Sequence, residues 1–359
     1  MRLLACALYA MAGAAAAADS SLPDWHPYVQ ARAWAAYDAI PIGELDGDWG
    51  RGFDPRKGRN VLLQRHRAEA GVESGAWRLG WEARQEATLA SDGQTLRFVR
   101  DYKQRFRPPV DTSYALAARL ERWSAQGLRL GRWFGDADGA MPRVQLSGAF
   151  YSRASLRDTD VAGTVSYQVP DHYDFNMRRT EANSAERYPF MQDTPGGAGA
   201  SMSLALAWRP APALTVAANI DDLLSVMRFK NLPIKEDRID SRVSTVDADG
   251  YINYQPLLSG MNRQATIQRR LGRSGAASLS YDAKSLIFTA GLERLAGITI
   301  PSLALGHSFS WGTLSTRVET RFDSIGIGIQ TAHVTIAVQS DSARLGRARS
   351  LGASLGLHY

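Results

Sequence analysis

Thiols are missing from almost all of this chain. Its single cysteine, Cys6, lies in an N-terminal apolar stretch. Disulfides, thiolate metal sites and a cysteine nucleophile are therefore excluded from everything beyond it. Lysine is scarce as well. Lys57, Lys103, Lys230, Lys235 and Lys284 are the whole set, so arginine carries most of the formal charge of +6. Such a balance suits anionic solutes or nucleic acid, but a codon bias toward arginine gives the same composition. Beyond the first residues, no apolar run reaches the roughly 20 residues of a membrane-spanning helix. A Gly-x-Ser-x-Gly elbow, a P-loop, a Gly-x-Gly-x-x-Gly turn and a His-Glu-x-x-His helix are all absent. His26, His66, His172, His307, His333 and His358 are scattered, with no two at ligand spacing. The sequence gives no reason to expect a metal, a cofactor, a nucleic-acid partner or an enzyme.

Residues 1–18 have the form of a secretory signal. Arg2 supplies the positive start, Leu3 to Ala18 the apolar stretch, and Ala16-Ala17-Ala18 the small-residue cleavage pattern before Asp19. Removal of that segment takes the net charge from +6 to +5. Residues 19–60 form an N-terminal segment read as loop, tail or extra strand. Its 41–60 part is rich in Gly, Asp and Arg. Asp46, Asp48 and Asp54 cluster there, at a spacing that fits a solvated turn better than a calcium loop.

What is present is alternation. From Leu351 to Tyr359 every second residue is apolar (Leu351, Ala353, Leu355, Leu357, Tyr359), with Gly352, Ser354, Gly356 and His358 between. This is the period of a strand with one apolar and one polar face. Trp77, Leu79 and Trp81 alternate with Arg78, Gly80 and Glu82. Met202, Leu204, Leu206 and Trp208 alternate with small residues, and so do Leu303, Leu305, Phe309 and Trp311. A mean hydropathy of −0.26 would suit a soluble sandwich. It equally suits a membrane barrel, whose strands turn every second residue to a wet lumen.

The last strand, ending on an aromatic residue, resembles those of bacterial outer-membrane β-barrel proteins. The resemblance implies that Leu351, Leu355, Leu357 and Tyr359 form the signal read by the barrel-assembly machinery. The expected architecture is an all-β, antiparallel transmembrane barrel over 61–359, in contact with outer-membrane lipid. Strands are placed near 61–74, 76–89, 95–106, 112–124, 126–136, 142–152, 160–169, 199–209 and 213–222. They continue at 263–270, 276–283, 285–294, 302–311, 313–322, 325–339 and 348–359. That makes about sixteen, and one miscounted hairpin makes fourteen or eighteen. The long gaps 170–198 and 223–262 then fall on the outer side. In the second, Leu223–Pro233 reads as apolar enough to plug the lumen or bind a partner.

The inward faces carry the charge. Arg65, Arg67, Arg78, Glu82, Arg84, Glu86, Arg317, Glu319 and Arg321 are the lumen-lining set. Arg97, Arg119, Arg143 and Lys103, with Glu69, Glu73, Asp101 and Glu121, extend it. Arginine is in slight excess, which predicts a porin-like channel for small solutes with a mild anion preference. Two other readings stay open. One is a non-conducting barrel that anchors or assembles a surface or export apparatus, its charges forming a cross-strand lattice. The other is an outer-membrane hydrolase using Asp221, Asp222, Asp247 or Asp249 at the mouth, disfavoured by the absence of a base or nucleophile.

Overall fold

The alternating segments build eighteen strands among the residues that the computed structural model describes, which are 25–135, 141–170, 172–241, 244–246, 252–254 and 257–359. In order they are β1 (His26–Tyr37), β2 (Arg59–Ser74), β3 (Trp77–Asp92), β4 (Thr112–Phe134), β5 (Arg143–Gln168) and β6 (His172–Asn183). Next come β7 (Gly196–Ala211), β8 (Leu214–Asp240), β9 (Ser244–Val246), β10 (Ile252–Tyr254), β11 (Leu258–Arg269) and β12 (Ser274–Ala283). The last are β13 (Leu286–Leu295), β14 (Ile298–Phe309), β15 (Gly312–Glu319), β16 (Ser324–Gln330), β17 (Val334–Ser340) and β18 (Ser350–His358). One helix, α1 (Gly93–Lys103), follows β3.

Sixteen of these strands share one antiparallel sheet, and β9 and β10 pair only with each other. Fourteen close the cylinder in the order β1–β5, β7, β8, β12–β18 and back to β1. The closing seam runs from Tyr28 opposite His358 to Ala36 opposite Ser350. Closure matters because a lipid-exposed strand edge would leave N–H and C=O groups without partners. The 19–60 segment therefore contains the closing strand, and the barrel begins at His26 rather than at 61. Residues 1–18, expected to be cleaved, lie outside the described residues.

The wall is uneven. β4, β5 and β8 run 23, 26 and 27 residues, whereas β15, β16 and β17 run 8, 7 and 7. The long strands project past one rim, away from the start of β1 and the end of β18. There β6 sits above β7, between the upper halves of β5 and β8. Likewise β11 sits above β12 along β8. The two remaining strands of the sheet are this projection. The start of β1 and the end of β18 meet at the other, terminal rim, where the Tyr359 N–H donates to the Pro27 carbonyl at 3.1 Å.

Several expected boundaries move. Residues 95–106 fold mainly as helix, not strand. Asp92 caps it by accepting from the Thr95 N–H at 2.7 Å, and Leu96 and Val99 recur at helical spacing. Segments 112–124 and 126–136 are one strand, as are 142–152 and 160–169. A bulge opposite Gln126 and Gly127 absorbs an extra residue of β5 without ending it. Segment 325–339 is two strands with a turn at 331–333. The 170–198 gap holds β6, and Leu223–Pro233 is wall within β8 rather than a plug.

Helix α1 packs outside the barrel. Tyr37, Leu62 and Leu89 face outward near the far rim. They are covered by Leu96 and Val99 of the helix and by Ile40, Leu45, Trp49 and Phe53 of the β1–β2 connection. Gln94 and Thr95 also cap the free upper edge of β4, accepting from the Ala115 and Ala117 N–H groups, both at 2.8 Å. In the connection, Asp48 accepts from the Gly50 N–H at 2.9 Å, which is turn chemistry.

Candidate pore and its closing lattice

Near the terminal rim the lumen is lined by small residues. Ala207, Ala217, Ser278, Thr289, Gly306, Ser315, Gly328 and Ala337 surround a cavity of about 750 Å³. Most inward side chains here are short and leave space in the middle of the cylinder, although Arg32, Trp133, Ile287, Glu293, Arg317 and Gln330 also line it. A second cavity of about 470 Å³ adjoins it, shares Arg32, Asn219 and Glu293, and is walled further by Arg65, Arg67, Arg78, Glu86 and Arg129.

Those charges form a lattice across the barrel at mid-height. Arg84 on β3 reaches over to β8, where both Asp222 oxygens accept from it at 2.9 and 2.7 Å. It also meets Glu86 at 2.6 Å and lies 4.8 Å from the Trp123 ring centre. Arg67 contacts Glu82 at 3.3 Å and Asp221 at 3.5 Å. Arg65 joins β2 to the opposite wall through Glu293 on β13 (3.0 Å), and its guanidinium donates to Ser274 on β12 at 3.1 Å. Arg129 holds Glu82 at 3.0 Å and donates to Ser147 at 2.7 Å. Arg78 spans Glu69 and Glu73, each at 3.0 Å. Side chains of Arg84, Glu82 and Asp222 are only 1, 0 and 0% exposed. Charges so far from water persist only when paired and hydrogen-bonded.

Two local devices make the lattice fit. Register slips between β7 and β8, so that Ser203 stands opposite three residues, 221 to 223. This bulge turns both adjacent aspartates inward, and Asp222 takes φ +56°, a conformation that Asp tolerates better than most residues. The other device is Gly80. The Tyr28 ring leans across the wall there, and a Cβ on Gly80 would meet its hydroxyl at 2.3 Å. Tyr28 donates to Glu69 at 2.6 Å while the Arg78 guanidinium lies 3.9 Å over its ring.

Beyond the lattice, apolar side chains gather in the lumen. Trp123, Tyr151, Leu156, Met227 and Phe229 cluster on the long-strand side. Trp34, Val61, Leu63, Leu295, Ile300 and Phe322 meet from opposite walls on the short side.

Of the lumen-lining residues read from sequence, Arg65, Arg67, Arg78, Glu82, Arg84 and Glu86 come together in this lattice. Arg317 and Glu319 pair with each other at 3.2 Å on β15. Arg321, past the end of β15, pairs with buried Asp38 at 2.9 Å. Arg97, Asp101 and Lys103 are not lumenal, because they ride on α1 outside the wall. Arg32, Arg129, Asp221, Asp222 and Glu293 were missed as lumenal charges. With them, six arginines of the lattice face seven carboxylates among the described residues. The arginine excess thereby disappears. The Asp221-Asp222 doublet was the available signal, since two adjacent acids break strand alternation and mark a bulge. Considered as acids of an active site at the mouth, both lie inside the wall in ion pairs. Asp247 and Asp249 fall outside the described residues.

The outer surface has the opposite character. Leu303, Leu305, Phe288, Leu292, Ile325, Ile327, Ile336 and Val338 stand exposed around the short side, and Trp77, Trp81, Leu128 and Phe150 around the long side. A belt of this extent is a surface for lipid.

No family model and no curated protein matches the chain. Solved structures similar to it include a deletion mutant of the monoaromatic hydrocarbon channel TodX, at 9% identity and a TM-score of 0.43, covering 94% of this chain and 90% of that one. A FadL homologue of Pseudomonas aeruginosa matches at 11% identity and a TM-score of 0.41, covering 93% and 90%. The translocator domain of the autotransporter NalP from Neisseria meningitidis matches at 9% identity and a TM-score of 0.29, covering 100% and 94%. At these scores neither residue roles nor activities transfer to this chain.

Proposed function

We propose that the chain is an integral outer-membrane barrel that acts as a channel for small solutes and is held shut at mid-height by its arginine–carboxylate lattice. The observation that carries this reading is the cavity, lined mainly by small residues, that leads from the terminal rim up to the lattice. What blocks the path is side chains from the wall. Side chains can exchange partners without unfolding a strand. The apolar belt supports the membrane setting, and the start of β1 beside Tyr359 at one rim suits a periplasmic end there. Leu351, Leu355, Leu357 and Tyr359 serve as the assembly signal in this reading. The anion preference expected from inward arginines loses its support, since the lattice matches them with carboxylates.

Conductance in planar bilayers tests the proposal. Wild type should open rarely. A variant with Arg67, Glu82, Arg84 and Asp222 all changed to Ser should open more often or more widely, while still migrating as a heat-modifiable barrel. Silence from both proteins would refute the channel. It would favour the non-conducting anchor, for which the apolar cluster of Trp34, Leu63, Ile300 and Phe322 across the short side is the supporting observation.

A further inference from the structure

On the outward face of β4 and β5, Arg122 stands directly opposite Arg157, Ser124 opposite Ser155, and Gln126 opposite Arg153. Like charges placed opposite each other across two strands repel, so this arrangement needs a counter-charge. Arg157 has one, Glu181 at 2.9 Å. Arg122 and Arg153 are both exposed and face no carboxylate partner among the described residues. Between them the Ser124 and Ser155 hydroxyls share a hydrogen bond of 2.7 Å, which leaves them on the same surface. The inward arginines next to them behave differently. Arg119 and Arg129, on the other face of β4, are both paired with acids.

The patch begins where the lipid belt stops. Leu128 and Phe150, paired across the same two strands, are 55 and 66% exposed. The next outward positions are Gln126, Arg153, Ser124, Ser155, Arg122 and Arg157. Phe134, near the terminal rim, is twelve residues from Arg122 on β4. At about 3.3 Å per residue and a tilt of about 40°, that separation gives a height of about 30 Å. A barrel's apolar band is about 25 Å tall, so Arg122 and Arg157 emerge at the headgroup layer of the outer leaflet, and Arg153, opposite Gln126 and about 20 Å up by the same arithmetic, reaches that layer by extending its long side chain. A guanidinium at that height suits phosphate, which it grips through two parallel N–H donors.

We infer that Arg122, Arg153 and Arg157, with Ser124 and Ser155, bind the phosphate of a phosphorylated glycolipid of the outer leaflet, whose acyl chains lie against Leu128 and Phe150. The inference rests on the outer-membrane placement proposed above, and it is independent of whether the lumen conducts.

The test compares wild type with an Arg122→Gln/Arg153→Gln variant, both refolded, and with Arg132→Gln as control. Arg132 lies over the Trp77 and Phe134 rings near the terminal rim, at 4.8 and 5.2 Å. Insertion into vesicles is scored first, and a wild type that does not insert would overturn both the membrane reading and this inference. Binding of bis-phosphorylated lipid A in detergent micelles is then titrated by native mass spectrometry. The double variant should bind at least tenfold more weakly than wild type, and Arg132→Gln should match wild type. Wild type should also prefer the phosphorylated lipid to its dephosphorylated form by a similar factor. Equal binding by wild type and the double variant, or equal affinity for the dephosphorylated lipid, overturns the inference. So does equal competition by inorganic phosphate at the same concentration, since the acyl chains would then contribute nothing.

Discussion

Asp222→Ala removes the carboxylate that ties the two sides of the lumen together. In the native barrel it accepts two hydrogen bonds from Arg84 and a third from the Ser201 hydroxyl at 2.5 Å. Neither Arg84 nor Asp222 reaches solvent. Breaking a buried pair by deleting one partner costs about 3–5 kcal/mol, because the survivor stays buried and uncompensated. Arg84 retains Glu86 at 2.6 Å and Tyr151 at 3.2 Å, so the lower end of that range applies, about 3 kcal/mol. At roughly 1.4 kcal/mol per tenfold, the folded-to-unfolded ratio falls more than a hundredfold. Equilibrium unfolding in guanidinium, with the barrel in lipid vesicles and tryptophan emission as the signal, measures this. The companion is Arg84→Met/Asp222→Asn, in which Asn keeps the left-handed backbone and Met fills the space of the guanidinium stem. It should be less destabilised than the sum of its single variants by at least about 1.5 kcal/mol. A loss under about 0.5 kcal/mol for Asp222→Ala, or additive effects in the double variant, would show that water reaches the lattice and would refute the reasoning.

Three further outcomes are expected. Leu206 faces lipid and Ala205 lines the lumen, so Leu206→Arg should lose about 2–4 kcal/mol and Ala205→Arg much less, as read by denaturant unfolding of the refolded variants. Gly80→Val should fail to refold or lose at least about 2 kcal/mol, because the new side chain displaces the Tyr28 ring from Glu69; adding Tyr28→Ala should recover part of that loss in the same assay. Tyr359→Asp should leave export intact while reducing heat-modifiable barrel in the outer-membrane fraction, and normal assembly would count against the terminal strand as a signal.

The faces of the strands were legible because a strand's side-chain period is two whatever it pairs with. Leu303 and Leu305 point outward and Ala304 inward on local geometry alone, and the same rule put Arg65, Arg67, Arg84, Glu82 and Glu86 in the lumen. Strand ends were less legible. Thr95 to Phe106 has enough alternation to pass for a strand, and only the Asp92 cap with Leu96 and Val99 three apart argues for helix. The continuity of β4 and β5 depends on a bulge, which leaves the sequence pattern ambiguous on either side of it.

Sequence alone determined that this chain alternates like a barrel, ends on a strand with an aromatic terminus, and carries arginine and glutamate on its inner face. Tertiary structure alone decided that His26–Tyr37 closes the cylinder, that fourteen strands make the circuit, and that Arg84 meets an aspartate 138 positions away. The reason is one of range. Periodicity is fixed by the backbone of a few neighbouring residues, whereas the partner of a buried charge is fixed by how many strands fit around the circumference and which walls then face each other.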